Sequence, residues 1–524
     1  MAQKASMSEN MGEETELKLI VPQASLAKVR KSKVIGRKAT AAPTVMDVTS
    51  VYYDTRRHDL LKRGITFRVR QKGGEHLQTV KADVDAYPGR KEWESRIADN
   101  KPDFAAVKGT ALEPLLDKTL TRRLKPLFET RVRRILLPLK WGGSKMELAV
   151  DRGHVKAGRS RAPISEVELE LKNGDAADLF SAARALARIA PARLGMLSKA
   201  DVGYGLADNE TARPFKSTPI VLDSKLSTAD AFRTVSFACL RQVVANEAAV
   251  NAGHPEGVHQ MRVGLRRLRA ALAFFSDLTE EDSHIKRVKN DLKWITDELG
   301  PGRELDVYLS KSVAPLAKQP SPGVRSLARV TERRRKAAFA RARDAVRSDR
   351  YRTIILDVAA WLNTGPWVTK RGKIAPALRE RPILDFASDE LHRRWRKICK
   401  KKKKFGQFDA RQRHKLRIGA KKLRYAAEFF ASLSPGRKST KKRRNMAKAL
   451  ERLQSNLGDL NDFAAHDKLT KELVFARGTR SKHPRQKAFA ASLVTGKERS
   501  ESRLLLKDAR SALREVARAK TYWA

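Results

Sequence analysis

Cysteine is almost missing from this chain of 524 residues, which holds only Cys239 and Cys399. Two thiols cannot build a disulfide framework, so packed cores must hold the fold, and a reducing cytoplasmic compartment is expected. Aromatic residues are also scarce, at 6%. That scarcity argues against base stacking as the main binding mode, and no specific nucleic-acid partner is expected. No apolar run reaches 18 residues; Ile354–Leu362 comes nearest, and it is short and contains Asp357. A membrane span is therefore not expected, nor does the start show a charged-then-apolar leader.

Acidic residues are in the minority. Asp and Glu number 59 against 110 Lys and Arg, a net charge of +51, and most of the excess falls in the C-terminal part. Such a field draws polyanions: nucleic acid, anionic membrane or inorganic polyphosphate. The length allows two or three domains. Residues 1–12 form a polar lead, expected to be disordered. From Glu13 to about Asp208 the hydrophobic period is mostly two, punctuated by Gly73-Gly74, Pro88-Gly89 and Gly142-Gly143, with helical patches at Pro102–Leu116 and Ala176–Ala190. Residues 206–224 lack either period and read as a linker. Beyond about Lys225 the period becomes 3.6, which predicts an all-α domain over 225–524.

In the first domain, strand after strand alternates charged and apolar residues. Glu14, Glu16 and Lys18 share a face opposite Leu17 and Leu19; Arg68 and Arg70 flank Val69; Lys81 follows Val80. Arg90, Glu92 and Glu94 alternate with Lys91 and Trp93; Arg131 and Arg133 flank Val132; Glu166, Glu168 and Glu170 alternate with Val167 and Leu169. One such strand is ordinarily a solvated face with weak ion pairs. Six in series argue that the charged faces converge on a polar tunnel. Carboxylates there supply hard oxygen ligands for Mg²⁺ or Mn²⁺, and Lys and Arg neutralise phosphate oxygens. On this phase Arg134 and Lys91 point outward.

These landmarks resemble the CYTH family of triphosphate tunnel metalloenzymes over residues 13–205: Glu14-x-Glu16-x-Lys18, Tyr53-Asp54-Thr55, Phe67-Arg68-Val69-Arg70, Asp151 before Gly153, and Ser198-Lys199. The resemblance implies an α+β domain on a closed antiparallel β-barrel that acts on a triphosphate. It implies that Lys18, Arg68, Arg70, Lys81, Arg90, Arg131, Arg133 and Lys199 bind substrate. Glu14, Glu16, Asp151, Glu166, Glu168 and, ranked below them, Glu170 would hold one or two divalent ions. Glu14, Glu16, Lys18 and Glu92 would act in catalysis, Glu92 by positioning water or orienting Arg90.

The helical part contains a duplication. His259-x-x-Arg262-x-x-x-Arg266-Arg267-x-Arg269 precedes Phe274-Phe275, and His414-x-x-Arg417-x-x-x-Lys421-Lys422-x-Arg424 precedes Phe429-Phe430, at an offset of 155. Each copy then reaches a Leu-Gly element, Leu299-Gly300 with Asp306 and Leu457-Gly458 with Asp462. The pattern resembles the CHAD family, which implies two pseudo-repeated helical bundles (about 225–363 and 383–524) that bind inorganic polyphosphate through these His, Arg and Lys residues. The first, fourth, eighth and eleventh motif positions share one helix face, where repulsion between like charges would be relieved by a polyanion.

Together these readings predict an inorganic triphosphatase fused to a polyphosphate-binding module, cytoplasmic and associated with polyphosphate granules. A non-catalytic polyphosphate scaffold and an adenylate cyclase or thiamine-triphosphatase on the same barrel are the alternatives.

Overall fold

A computed structural model describes residues 15–83, 90–210, 212–280, 282–318, 321–368, 376–475 and 484–523. Glu14, Pro88, Gly89 and the side chain of Arg90 lie outside the described residues. The described residues divide into two compact units: those within 1–215, 240–252 and 347–369 form one, and the other described residues form the second.

The first unit is built on nine strands: β1 (Thr15–Ile20), β2 (Thr44–Asp54), β3 (Ile65–Lys72), β4 (Glu75–Asp83), β5 (Arg90–Ile97), β6 (Lys125–Trp141), β7 (Ser144–Ala157), β8 (Ser160–Asn173) and β9 (Arg193–Gly195). They form one antiparallel sheet in the order β5-β4-β3-β2-β6-β7-β8-β1-β9. The Gly73-Gly74 turn joins β3 to β4 with both φ angles positive, at 56° and 85°, as a two-residue hairpin of matching twist requires. Residues 105–107 and 113–115 are single 3₁₀ turns rather than the expected helix. Pro102, Gly109 (φ 81°) and Pro114 interrupt any longer helical run there.

The expected closed barrel is corrected. Among the described residues no pairing joins β5 to β9, and β9 has three residues that pair only with β1. The sheet nevertheless curls. Glu16 on β1 bears electrostatically on Lys81 of β4, although five strands intervene in the sheet order, and Arg134 of β6 bears on Arg70 of β3 across β2.

Two helices cover the two faces. Helix Ala176–Ile189 lies on the apolar face of β1 and β8, where Leu17, Leu19, Val167 and Leu169 are buried. Helix Lys199–Ala207 lies on the opposite face against Tyr52, Phe128, Val132 and Ile164. Its close seat depends on Gly203, where a Cβ would meet the Phe128 ring at 2.1 Å. Ser198 caps it with Asp201 in a reciprocal capping box, which fixes Lys199 as its first residue.

The second unit is helical. Its two motif helices, Pro255–Phe274 and Ala410–Phe429, bring equivalent residues together: Phe274 meets Phe429 at 5.8 Å between ring centroids, and Phe275 meets Phe430 at 6.1 Å. Pairing of like with like is the mark of a two-fold relation between repeats. The Leu-Gly elements lie on helices Ile285–Tyr308 and Arg437–Phe475, with Leu299 and Leu457 buried.

Candidate functional site

Register decides which charges meet. Across β1 and β8, Lys18 opposes Glu168; across β8 and β7, Glu166 opposes Asp151; across β7 and β6, Asp151 opposes Arg134. Directly opposed residues share a face of an antiparallel sheet. On the far side of the curl, Arg70 opposes Ser50, Arg68 opposes Tyr52, and Lys81 opposes Glu92 on the same face.

Asp151, Glu166 and Glu168 form the acidic centre, with one oxygen from each within 4.8 Å of the others. Asp151 is fully buried. Arg134 forks onto it, Nε donating to Oδ1 at 2.7 Å and Nη2 to Oδ2 at 2.6 Å, and Nη2 also reaches Glu168 Oε2 at 2.7 Å. The Lys199 ammonium contacts all three carboxylates: Asp151 Oδ2 at 2.8 Å, Glu168 Oε1 at 3.0 Å, and Glu166. Lys18 Nζ lies 3.6 Å from Glu168 Oε1 and 3.9 Å from Glu166 Oε2. Burial raises the Glu168 carboxyl, but Lys199, Lys18 and Arg134 outweigh it and hold the group below the usual carboxylate range. Burial disfavours the Lys199 ammonium, yet Glu168, Glu166 and Asp151 hold it charged well above the usual lysine range.

The cationic side is less satisfied. Arg68 donates to Tyr52 and to Glu92, each at 3.4 Å, but its buried Nε finds no partner. Arg70, repelled by Arg68 and desolvated, is pushed down to about 10. Burial and Arg68 lower Lys81, whose ammonium is paired with Glu92. Desolvated, mutually repelling cations, with an unmet donor on Arg68, facing an acidic centre suit a phosphate chain bridged to a hard divalent ion. The three-carboxylate oxygen set fits such an ion in donor type.

Two substrate-binding expectations are corrected. Arg131 and Arg133 sit on the opposite, exposed face of β6, and Arg131 pairs with Glu129 at 3.2 Å. The inward residue is Arg134. The period along β6 misleads because its inner face is apolar beneath helix Lys199–Ala207, at Phe128 and Val132, and turns charged only at Arg134. A signal did exist: counting back from the Gly142-Gly143 turn pairs Arg134 with Asp151 and Arg133 with Arg152. Glu16 is exposed and opposes Glu170, which pairs with Lys172, so both stand beside rather than within the acidic centre. Glu92 supports Arg68 and Lys81.

In the helical unit, Arg262 and Arg417 pass beside the two glycines of the Leu-Gly elements: Arg262 Nη1 is 3.1 Å from a Cβ built on Gly300, and Arg417 Nε is 3.7 Å from one on Gly458. Arg266 bears electrostatically on both Arg417 and Lys421, so the basic faces of the two copies meet. His259 Nδ1 and the Nε atoms of Arg262, Arg266 and Arg417 are buried without partners. Burial and Arg303 lower His259 to about 4, so its ring is neutral at neutral pH. His414 Nδ1 lies 2.6 Å from Asn461 Oδ1, Arg424 donates to Gln454, and Arg269 is exposed. Arg267 is corrected: it is buried, stands over Phe429 and pairs with Glu428 at 2.8 Å. Lys422 faces Glu390, Arg393 and Arg394 instead of the shared basic face.

Residues 12–204 match the CYTH domain family and residues 235–470 match the CHAD domain family. The chain is a CYTH domain followed by a CHAD domain. The CYTH–CHAD chain is 32% identical over 165 residues to a Haemophilus influenzae protein named inorganic triphosphatase, a match covering 31% of this chain. It spans about half the length of that curated relative, at 46%. Among solved structures, the CHAD domain from the plant Ricinus communis is 27% identical with a TM-score of 0.47, covering 58% of this chain and 96% of the other. A Hippeastrum protein whose structure is described as having a dominant triphosphatase activity is 14% identical with a TM-score of 0.28, covering 37% and 95%. No described helix of the CYTH–CHAD chain is long and apolar enough to cross a membrane.

Proposed function

We propose that the CYTH domain hydrolyses inorganic triphosphate to pyrophosphate and phosphate with the help of Mg²⁺ or Mn²⁺, and that the CHAD domain binds polyphosphate. The observation that carries the first part is the acidic centre of Asp151, Glu166 and Glu168 facing the basic set Arg68, Arg70 and Lys81 across one curled sheet. The name of the Haemophilus influenzae relative supports the same reading.

Asp151, Glu166 and Glu168 would hold the divalent ion, which when bound neutralises phosphate charge and lowers the pKa of an attacking water. Arg68, Arg70, Lys81 and Lys18 bind phosphate oxygens, Arg as a planar fork and Lys as a point charge. Arg134 fixes the orientation of Asp151 and Glu168. Glu92 holds Lys81 and Arg68 in place until the substrate supplies its own negative charge. Burial strengthens each of these contacts.

For the CHAD domain, the buried unpartnered donors of His259, Arg262, Arg266 and Arg417 support an anion site formed by both copies, with Lys421 and Arg424 beside it. Polyphosphate held there would raise the local substrate concentration.

Incubation with tripolyphosphate, ATP or thiamine triphosphate under Mg²⁺ or Mn²⁺ tests the reading. Fastest phosphate release from tripolyphosphate is expected. Preference for ATP or thiamine triphosphate would move the assignment to another reaction, and no release from any substrate would refute it.

A further inference from the structure

The acidic centre is already neutral. Three carboxylates, Asp151, Glu166 and Glu168, face three cations, Lys199, Arg134 and Lys18. Adding a divalent ion would leave two uncompensated positive charges in a buried site, at a high electrostatic cost. A cation must leave, or anions must arrive.

The three cations differ in their hold. Arg134 is forked across both oxygens of Asp151 and extends to Glu168, a planar arrangement suited to keeping its partners in place. Lys18 approaches only Glu166 and Glu168, at 3.6 Å or more. Lys199 alone touches all three carboxylates, so its ammonium sits where their oxygens converge. It is a point charge on a four-carbon stem with freely rotating bonds, while its backbone is fixed at the capped start of helix Lys199–Ala207. The ammonium can therefore swing without unfolding the helix.

Resting on the metal reading above, we propose that Lys199 is a resident counter-ion that occupies the divalent-ion site in the empty enzyme, and that it is released toward the phosphate chain when the ion binds. The consequence is coupling. The ion binds weakly to the empty site because it competes with Lys199. The displaced ammonium then adds a positive charge toward Arg68 and Arg70, so ion and triphosphate each favour the other. By reciprocity the coupling is the same seen from either ligand.

The test is titration of the chelator-stripped full chain with Mn²⁺ alone, free ion being read by electron paramagnetic resonance. Wild type, Lys199→Met, Lys199→Gln, Glu168→Gln and the double variant Lys199→Met/Glu168→Gln are compared. Near-ultraviolet circular dichroism confirms folding, and Lys199→Gln, which retains polar contacts, serves as the second variant if the methionine does not fold. The expected result is Mn²⁺ binding about 5- to 150-fold tighter in both Lys199 variants than in wild type, the range typical of coupled sites. The double variant should lose that gain. Equal affinity in wild type and both Lys199 variants, weakened by Glu168→Gln, would overturn the counter-ion role and leave the metal reading standing. Absence of Mn²⁺ binding in every protein would overturn both.

Discussion

Arg134 grips both carboxylate oxygens of Asp151, at 2.7 and 2.6 Å, in the fully buried part of the sheet's charged face. One residue away, Arg133 lies on the opposite strand face, exposed to water. Replacing Arg134 with alanine should leave the buried Asp151 with Lys199 as its remaining cationic partner and without the two guanidinium hydrogen bonds, a loss of about 1 to 3 kcal/mol. Loss of the oriented carboxylate should also reduce triphosphate turnover by about 10- to 100-fold. Arg131→Ala and Arg133→Ala should change both quantities little. Thermal melts and phosphate release for the three variants check the assignment, and an inverted order would return the exposed arginines to the site.

Gly203 sets the distance between helix Lys199–Ala207 and β6. The Phe128 ring it faces is wedged between Tyr52, stacked at 4.6 Å, and Tyr204, edge-on at 5.1 Å, so it has little room to yield. Gly203→Ala should destabilise the sheet unit by about 1 to 3 kcal/mol, the usual cost of overpacking. Because Lys199 heads the same helix, the variant should also lower turnover beyond its effect on folding. Urea unfolding together with activity at a temperature where the variant is fully folded separates the two effects.

The proposed polyphosphate site should depend on pH through Lys421. Burial, Arg417 and Arg266 push its ammonium down from 10.5 to about 7 in the free protein. A bound polyanion favours the charged form and raises that value, so binding takes up a proton above pH 7. Affinity should fall as pH rises from 6 to 8.5, by at most about tenfold per pH unit for one linked proton. Calorimetry in buffers of different ionisation enthalpy measures the uptake. Lys421→Arg should flatten the slope, since guanidinium stays charged across this range.

Glu247 provides a second pH signature, now in stability. Burial raises its carboxyl from 4.5 to about 7 despite Arg193, whose Nη1 lies 3.1 Å from Oε2. The folded state keeps a proton that the unfolded chain gives up near pH 4.5. The stabilisation is full below pH 4.5 and is lost as pH rises through 7, by on the order of 1 to 3 kcal/mol. Glu247→Gln should remove this contribution, seen as a flatter dependence of melting temperature on pH between 5 and 8.

Much of this arrangement was legible in the sequence because strand alternation and turn glycines are local signals. Lys18, Arg68, Arg70, Lys81, Glu166 and Glu168 all follow from period two, and all meet on one face. Arg134 was hidden because β6 carries Glu129, Arg131 and Arg133 on its outer face, a charged alternation that imitates an inner one. Only cross-strand register separates the two, and register depends on the turn rather than on the strand itself. The closed barrel failed for a related reason: alternation says which face a residue takes but not whether the two edge strands pair. In the helices, the three- and four-residue spacing placed His259, Arg262 and Arg266 together. It could not show that Arg267, one position on, turns into the core toward Glu428.

Asp151, Glu166 and Glu168 are proposed to form a metal-dependent triphosphate hydrolysis centre. Its most direct test is phosphate release from tripolyphosphate by wild type and Asp151→Asn, each with saturating Mn²⁺ and with excess chelator. Wild type should turn over only with the ion present, and Asp151→Asn should lose about 10²-fold or more of that rate while remaining folded. Turnover that survives chelation, or that is the same in Asp151→Asn, would contradict the account.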